Sequence, residues 1–296
     1  MNKSSLNMKD PEDVKQLFVK IKLLCAQGKL DKATSLYRSL QQQMPKSEIT
    51  KEVRSIVADS LRMTFADVLS DEEGVSLFKP YVINAPKKIN IMKDIDIFSI
   101  QASKTLAEGN TLLFYDRLFS IFNVLKNLHK IEGAVFELGV FRGGTLKFMA
   151  ELCRQFGQQR AIVGFDTFTG HPHTVEADGI AHFAGAFGMT SFEGVSEYVA
   201  SHKEIRLVQG DVMQTLDAEL EAVCQLAFVH LDVDLYTATA YSLPKLEKAL
   251  APGGFILVDD YGFVTCAGLK QAVDDFLKTS ALRAIHLLTG QCLLIK

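Results

Sequence analysis

The sequence predicts an α/β protein built on a doubly wound, mostly parallel sheet of seven strands, with an antiparallel C-terminal hairpin and a helical N-terminal extension. Short apolar runs alternate with amphipathic segments from about residue 105 onward. This alternation is typical of parallel strands covered by helices on both faces. The two last apolar runs flank Thr289-Gly290, a turn signal that makes the final strand antiparallel to its neighbour.

The first 45 residues show helical rather than strand periodicity. Apolar residues recur at helical spacing on both sides of Gly28, and the second run ends before Pro45. We therefore predict a helical hairpin over residues 1–45 that resembles one tetratricopeptide repeat. Because one repeat does not make a solenoid, packing on its own protein or on a sister subunit in a homo-oligomer is favoured over a peptide-binding groove. Residues 46–104 are predicted to form a helix and an irregular connector.

The third segment, residues 105–296, supplies the sheet. A helix over 110–130 leads into the first strand, AVFELGV. The next strands are AIVGFD, IRLVQGD, LAFVHLD and GFILVDD, and the alternating helices are predicted near 144–156, 190–201, 214–223, 237–250 and 267–279. The ending AIHLLTGQCLLIK supplies the last two strands.

The composition excludes several classes of protein. With 32 Lys+Arg against 35 Asp+Glu and a net charge of -3, the chain lacks the basic excess of a nucleic-acid-binding protein. No apolar run reaches the roughly 18 residues of a membrane-spanning helix. The five cysteines form no CxxC pair, and the first 15 residues hold no apolar stretch. We expect reduced cysteines in a cytoplasmic protein with no membrane partner.

Acidic residues stand at the ends of five consecutive predicted strands. They are Glu137, Asp166, Asp211, Asp232 and the pair Asp259-Asp260. In open α/β sheets, ligands bind beyond the carboxyl ends of the strands. Any one of these acids could be a helix N-cap, but five strand ends with the same chemistry indicate a shared binding site.

The loop after the first strand has the composition of a nucleotide-binding loop. Its candidate cofactor-binding residues are Glu137, Gly139, Arg142, Gly143 and Gly144. Glycines allow the backbone to approach a ligand closely, and the following helix offers N–H groups. The dinucleotide fingerprint is not met, because Phe141 stands at its second glycine. An acid before the first glycine suits a cationic, hydroxyl-rich ligand better than a pyrophosphate, which favours S-adenosylmethionine.

Two further acids complete the predicted cofactor site. Asp166 ends the second strand and is expected to accept hydrogen bonds from ribose hydroxyls. Asp211 follows the third strand and is expected near the adenine edge.

Three aspartates at the next two strand ends predict a metal site. Asp232 closes the fourth strand, and Asp259 and Asp260 close the fifth. Three neighbouring carboxylates repel one another and raise one another's pKa unless a cation is present. Hard oxygen ligands with room for substrate are typical of Mg²⁺ sites. A metal-bound hydroxyl loses its proton more easily, which suits methyl transfer to oxygen.

The motifs FELGVFRGGT, GFDTF, HLDVDLY, APGGFILVDDYG and KQAVDDF together resemble the macrocin O-methyltransferase family. These are class I S-adenosylmethionine-dependent enzymes that methylate sugar hydroxyls, and the similarity covers roughly residues 110–296. The resemblance implies a Mg²⁺ site at Asp232, Asp259 and Asp260, and cofactor contacts at Glu137, the Arg142–Gly144 loop and Asp166. It also implies that Asp232 is both a metal ligand and a proton acceptor. Thr169 replaces an acid that family members tend to carry, so the acceptor need not be a macrolide sugar.

The histidines leave the identity of the base open. His182 lies in the loop after the second strand, with His171 and His173, and is the alternative to Asp232 as general base. His230 lies within the fourth strand, where a core role is the simpler interpretation.

The predicted function is Mg²⁺-dependent transfer of a methyl group to a hydroxyl of a glycoside or other small natural product. The acceptor is expected to present two vicinal oxygens to the metal. Two alternatives remain: a methyltransferase of catechol-like aromatic hydroxyls, and a docking protein that acts through its helical hairpin.

Overall fold

The structure, a computed structural model, describes residues 17–21, 23–24, 30–43, 53, 56–57 and 95–296. The described residues form two compact units. The first unit holds those before Asn84 together with Gly179–Ala181 and Phe263–Thr265, and the second unit holds the rest. The predicted turn at Gly28 and most of the predicted segment 46–104 lie outside the described residues.

The first unit is helical where the structure describes it. Residues 17–21 and 23–24 are helical, and helix α1 spans Leu30–Gln43. Leu17, Ile21, Ala33, Tyr37 and Leu40, which recur at helical spacing in the sequence, are buried in its core. This core contains Leu17, Phe18, Ile21, Ala33, Tyr37, Leu40, Val53, Val57 and Ala181.

The second unit begins with two helices and continues as an alternating α/β chain. Helix α2 spans Ile95–Glu108, and α3 spans Tyr115–Asn127 with a 3₁₀ turn at Leu128–Lys130. There follow β1 (Ala134–Leu138), α4 (Gly144–Gln155), β2 (Ile162–Asp166), a 3₁₀ turn (Glu176–Asp178), α5 (Phe192–Val199), β3 (Ile205–Gln209), α6 (Val212–Ala222), β4 (Leu226–Leu231), α7 (Tyr236–Ala249) and β5 (Leu250–Val258). The chain ends with a 3₁₀ turn (Val264–Cys266), α8 (Ala267–Leu277), β6 (Arg283–His286) and β7 (Cys292–Ile295).

The seven strands form one sheet in the order β3-β2-β1-β4-β5-β7-β6. Strands β1 to β5 are parallel to their neighbours, whereas β7 is antiparallel to both β5 and β6. The fold class predicted from the sequence is confirmed, including the antiparallel hairpin around Thr289-Gly290. Among the described residues, no helix is long and apolar enough to cross a membrane.

The chain reverses its direction across the sheet between β1 and β4. It moves outward from β1 to β2 and β3, and then returns to place β4 and β5 on the other side of β1. Right-handed crossovers therefore put the helices on opposite faces. Helices α2, α3 and α4 pack together, and α7 packs against both α6 and α8. Such a reversal leaves a crevice at the carboxyl ends of β1 and β4.

Helix α2 runs through the boundary predicted at residue 105. Phe98 and Ala102 of this helix are buried in the core of the second unit. The ring of Phe98 lies 5.0 Å from that of Phe119 and 5.4 Å from that of Phe122. The phenylalanines of α3 are thus core residues.

Candidate active site

The acids predicted at the strand ends gather at one edge of the sheet. Glu137 lies in β1, Asp166 ends β2, Asp211 follows β3, Asp232 follows β4, and Asp259 and Asp260 follow β5. The register pairs Glu137 with His230 and His230 with Leu257 across three strands. The carboxyl edge of the sheet therefore carries the acids of the metal and cofactor predictions side by side.

Gly139 brings the first loop into direct contact with the end of β4. Its φ is 94°, and a Cβ at this position would lie 1.8 Å from the carbonyl oxygen of Asp232. Only glycine fits both the dihedral angle and the space. The backbone of the predicted cofactor loop thus contacts the backbone of the predicted metal ligand.

We expect Gly139→Ala to lower the free energy of unfolding by more than about 1 kcal/mol, since it adds a steric clash to a positive φ. Gly157→Ala is the matched control: its φ is 67°, and nothing lies within 4 Å of the added Cβ. Urea denaturation of both variants measures the difference. Equal destabilisation of the two would show that the contact with Asp232 is not restrictive.

The Arg142 side chain is directed at the following loop. Its Nε donates to the carbonyl oxygen of Met189 at 2.9 Å, and its guanidinium lies 5.0 Å from the centre of the Phe141 ring. Gly143 (φ 81°) is the N-cap of α4. A Cβ on Gly144 would lie 2.5 Å from the carbonyl carbon of Asn110. Arg142 and Gly144 therefore fix the loop against its neighbours.

Asp166 organises the two turns beside it. Its Oδ2 accepts from the backbone N–H groups of Val140 (2.9 Å) and Phe141 (2.7 Å), and its Oδ1 accepts from that of Phe168 (2.7 Å). Phe141 (φ 51°) and Phe168 (φ 56°) both adopt left-handed conformations, which are rare for such side chains. The carboxylate stabilises both turns and keeps acceptor capacity for one further donor.

Asp211 caps the N-terminus of helix α6. It is the N-cap of α6, where Oδ1 accepts from the backbone N–H of Met213 at 2.9 Å. Its Oδ2 lies 3.9 Å from Nδ1 of His173. The N-cap interpretation therefore accounts for one of its oxygens.

A buried chain of side chains connects β1, β4 and the end of β5. His230 Nδ1 lies 3.0 Å from Glu137 Oε1, and its Nε2 lies 3.3 Å from Asp259 Oδ1. Gln291, just before β7, donates to the same Asp259 oxygen at 2.7 Å. Glu137, His230, Asp259 and Gln291 are all at most 1% exposed. His230 is thus a buried residue, as predicted, and it links the cofactor and metal predictions.

The two carboxylates set the protonation state of His230. Burial alone would lower the pKa of His230, but its hydrogen bonds to Asp259 and Glu137 raise it to about 9. Burial also raises the pKa of Glu137 and outweighs the lowering by His230. The pKa of Asp259 falls to about 2, because Arg117 and His230 outweigh its burial. Near neutral pH, His230 is therefore a buried imidazolium.

The stability that His230 provides should depend on pH. Its folded pKa of about 9 exceeds the ordinary 6.5, so its contribution is fully present below about pH 6.5 and is lost as pH rises through about 9. We expect wild type to exceed His230→Gln in free energy of unfolding by a margin that shrinks over this range. Denaturation at several pH values measures the margin, with exposed His129→Gln as control. A constant margin would contradict the charged state.

Arg117 of α3 supplies a second cation to this edge of the sheet. Its Nη1 donates to Asp259 Oδ2 and, at 3.3 Å, to Asp260 Oδ1. Its Nη2 donates to the carbonyl oxygen of Leu112 at 3.2 Å. The Arg117 side chain is only 10% exposed, so this is a buried ion pair.

Asp232 and Asp260 are the two aspartates of this edge whose pKa values are raised. The pKa of Asp232 is raised well above its ordinary value, first by burial and then by Asp259, Asp260 and Asp234. The pKa of Asp260 is raised likewise, by burial and by Asp234 and Asp259. No hydrogen bond from a residue that the structure describes reaches the Asp232 carboxylate. The Asp232 carboxylate therefore lacks hydrogen bonds of the kind that Arg117 makes to Asp259 and Asp260.

The residues fit a divalent cation. Five carboxylates (Glu137, Asp232, Asp234, Asp259 and Asp260) face two cationic groups, Arg117 and His230. Ligand atoms of Asp232 and Asp259 lie within 4.8 Å of one another, and so do those of Asp234 and Asp260. Hard oxygens with excess negative charge are what Mg²⁺ requires. The structure places Asp259 beside Asp232 and Asp260 beside Asp234. The three predicted metal ligands thus lie in two adjoining groups and not in one.

The loop after β2 brings two histidines to the same edge. His182 is 5% exposed, and its Nδ1 lies 3.1 Å from Nε2 of His171. His171 Nε2 also lies 3.6 Å from Oδ2 of Asp234. Cys266 Sγ lies 3.5 Å from both His182 Nε2 and Asp234 Oδ1.

Comparison with known proteins identifies the family of the chain. Residues 107–287 match the macrocin O-methyltransferase (TylF) family, which is more than half of the chain. The chain belongs to the macrocin O-methyltransferase family. The resemblance inferred from the five motifs is thereby confirmed.

Two curated relatives of this family member are named as O-methyltransferases, and the name of the first contains a rhamnosyl group. One is 8-demethyl-8-(2,3-dimethoxy-alpha-L-rhamnosyl)-tetracenomycin-C 4'-O-methyltransferase of Streptomyces olivaceus, 31% identical over 157 residues, which are 49% of this chain and 58% of that protein. The other is mycinamicin III 3''-O-methyltransferase of Micromonospora griseorubida, 30% identical over 162 residues, 49% of this chain and 61% of that protein. The chain thus matches about three fifths of the length of each.

Solved structures share the fold of this macrocin O-methyltransferase family member. The O-methyltransferase NovP superposes with a TM-score of 0.55 at 24% identity, covering 63% of this chain and 82% of that chain. Calicheamicin methyltransferase CalS11 gives 0.52 at 22% identity, covering 70% and 94%. These similarities support the class I methyltransferase fold.

Three residues of the site in this family member were not among the sequence candidates. Arg117 and Gln291 contact Asp259 from segments far away in sequence, and Asp234 lies beside Asp260 with a φ of 62°. Arg117 could have been recognised from the sequence, because it is a charged residue on an otherwise apolar helix face. Asp234 lies in the HLDVDLY motif, two residues after the predicted metal ligand Asp232. No sequence pattern marks Gln291 as a residue of the site.

Proposed function

We propose that this protein is a Mg²⁺-dependent methyltransferase that transfers a methyl group from S-adenosylmethionine to a hydroxyl of a small glycoside. The observation that carries the proposal is Asp232: a carboxylate with a raised pKa, at the sheet crevice, beside the glycine loop and two further acids. Such a group can take up a proton or a cation.

The residues of β1 and β2 would bind the cofactor. S-adenosylmethionine supplies an electrophilic methyl group on a positively charged sulfur. The excess of carboxylates at the crevice suits that charge. Asp166 holds the glycine loop in shape through two backbone hydrogen bonds, from Val140 and Phe141, so the loop is preorganised for a ligand. Its remaining acceptor capacity suits a ribose hydroxyl, and Asp211 has one oxygen outside its N-cap bond.

Asp232 and Asp259, whose ligand atoms lie within 4.8 Å of one another, would hold the metal ion, with Asp260 in the adjoining group as the third predicted ligand. Mg²⁺ lowers the pKa of a bound hydroxyl and fixes its orientation. Arg117, His230 and Gln291 hold Asp259 in one orientation through both of its oxygens. Asp232 has no such restraint among the described residues, which leaves it available to a ligand.

Asp232 is the better candidate for the proton acceptor. Its carboxylate accepts no hydrogen bond from the described residues, so it can accept the proton of a hydroxyl bound beside it. His182 is more deeply buried and contacts His171 and Cys266. We therefore assign the base to Asp232 and a supporting role to His182.

The acceptor class follows from the family and from the relatives. Macrocin O-methyltransferases, tetracenomycin-glycoside 4'-O-methyltransferase and mycinamicin III 3''-O-methyltransferase are all named for methylation of oxygen. A sugar with vicinal hydroxyls would present two oxygens to the ion, which is the arrangement that a carboxylate-bound Mg²⁺ accommodates.

Methyl transfer from isotopically labelled S-adenosylmethionine to a panel of glycosides tests the proposal. The panel includes the demethylated tetracenomycin glycoside and mycinamicin III, each with Mg²⁺ or with excess chelator. We expect a product with one added methyl group on the sugar in the presence of Mg²⁺ only. Undiminished transfer in chelator would contradict the metal dependence, and lack of S-adenosylmethionine binding in calorimetry would contradict the cofactor assignment.

A further inference from the structure

Three donor atoms from two loops converge on one point beside the proposed methyltransferase site. His171 Nε2 lies 3.1 Å from His182 Nδ1 and 3.6 Å from Asp234 Oδ2. Ligand atoms of these three residues all lie within 4.8 Å of one another. An imidazole nitrogen carries either one hydrogen or one lone pair, so His171 Nε2 can make one directed hydrogen bond here although two acceptor-capable atoms face it.

Cys266 lies behind this point and contacts the opposite atoms of two of the three residues. Its S–H donates to Asp234 Oδ1 at 3.5 Å. Its sulfur also lies 3.5 Å from His182 Nε2. With its hydrogen directed at Asp234, the sulfur can accept the Nε2–H of His182. That tautomer leaves the lone pair of His182 Nδ1 facing His171 and Asp234.

We propose that His171, His182 and Asp234 form a second metal site, for a divalent transition-metal ion of the zinc class. On a tetrahedral ion with bonds of about 2.0–2.1 Å, neighbouring donor atoms are about 3.3 Å apart. The observed separations of 3.1 and 3.6 Å bracket this value. Two imidazoles with one carboxylate are a common ligand set for such ions, and they leave positions open.

Cys266 acts in this site as a positioning residue. Histidine ligands ordinarily donate their other ring N–H to a second group, which fixes tautomer and orientation. Cys266 does this for His182 and at the same time orients the Asp234 carboxylate. Burial supports the assignment, since the Cys266 residue is 3% exposed and the His171 side chain 10%.

The proposed site differs in chemistry from the Mg²⁺ site, although its Asp234 lies beside Asp260 of that site. Nitrogen donors favour zinc, cobalt or iron over magnesium, whereas Asp232, Asp259 and Asp260 offer oxygen only. The ion would tie the loop after β2 to the segment after β4. It would thereby fix the wall of the crevice that faces the acceptor.

Binding of Co²⁺ and Zn²⁺ to the metal-stripped full-length protein tests the inference without cofactor or acceptor. Co²⁺ is followed by its visible absorption and Zn²⁺ by calorimetry, both in excess Mg²⁺ so that the proposed Mg²⁺ site is occupied. We expect wild type to bind one ion with the intense absorption of a four- or five-coordinate site. His171→Asn and His182→Asn should each weaken binding at least about 100-fold, and Cys266→Ser about 10-fold.

Two control variants separate this site from others. His173→Asn removes a histidine of the same loop that lies instead beside Thr237 and Asp211, and Asp232→Asn alters the Mg²⁺ site. Both should bind Co²⁺ like wild type. Absence of stoichiometric Co²⁺ binding by wild type would overturn the site regardless of how the variants fold. Equal affinities of folded His171→Asn and His173→Asn would do the same, and would leave a His171–His182 hydrogen bond as the explanation.

Discussion

Asp232→Asn is expected to reduce the rate constant of methyl transfer by about 10²–10⁴-fold, the usual contribution of a general base. The asparagine keeps the size of the side chain but neither accepts the proton nor offers a negative oxygen to the ion. S-adenosylmethionine binding should change little. Asp166, which is unaltered, makes the proposed ribose contact and holds the glycine loop. Steady-state kinetics with the labelled cofactor and calorimetry measure the two effects.

Asp217→Asn is the matched control for this substitution. Asp217 is an aspartate of α6 that pairs with Lys245 on the surface, so its loss should leave the rate unchanged. Comparable rates for Asp232→Asn and wild type would show that Asp232 neither binds the metal nor accepts the proton. His182→Asn would then become the decisive variant for the base.

Arg117→Met should lower the free energy of unfolding by about 3–5 kcal/mol, the usual cost of removing one partner of a buried ion pair. Methionine retains much of the side-chain volume, so the loss is mainly electrostatic. It leaves Asp259 and Asp260 without the guanidinium that holds them. Urea denaturation in the presence of chelator measures the change.

Mg²⁺ should restore part of the stability that Arg117→Met loses, because a bound cation neutralises the same carboxylates. Arg154→Met, which breaks an exposed pair with Glu204, should cost far less and gain nothing from Mg²⁺. If Arg117→Met were as stable as Arg154→Met, the buried pair would contribute no net stability. Equal responses of the two variants to Mg²⁺ would place the ion elsewhere.

The sheet could be predicted from the sequence because its central strands β1 and β4 are buried on both faces. The runs LAFVHLD and GFILVDD are too apolar for surface strands. Strand β4, which lies in the first of these runs, is buried throughout. The Thr289-Gly290 turn likewise identified the antiparallel hairpin. The apolar residues of α2 gave a weaker signal, since they follow a segment that contains two prolines, and the boundary at residue 105 was placed inside this helix.

The candidate site could be predicted only as far as the strand ends. A parallel sheet brings Glu137, Asp232 and Asp259 together by topology, whatever their side chains do. The contacts made by Arg117 and Gln291 depend on how a helix and a hairpin pack, which no local pattern encodes. Asp166 illustrates the remaining ambiguity: an acid at a strand end can serve the loop backbone, a ligand or both, and the sequence is the same in each case.

The Glu137–His230–Asp259 chain also affects how the sheet can open. These residues belong to three adjacent strand segments, so separation of any one segment breaks a hydrogen-bonded contact between buried charges. Partial opening at this end then exposes uncompensated charge while most of the core is still packed. The carboxyl edge of β1, β4 and β5 should therefore exchange its amide hydrogens only through global unfolding, unlike the outer strands β3 and β6.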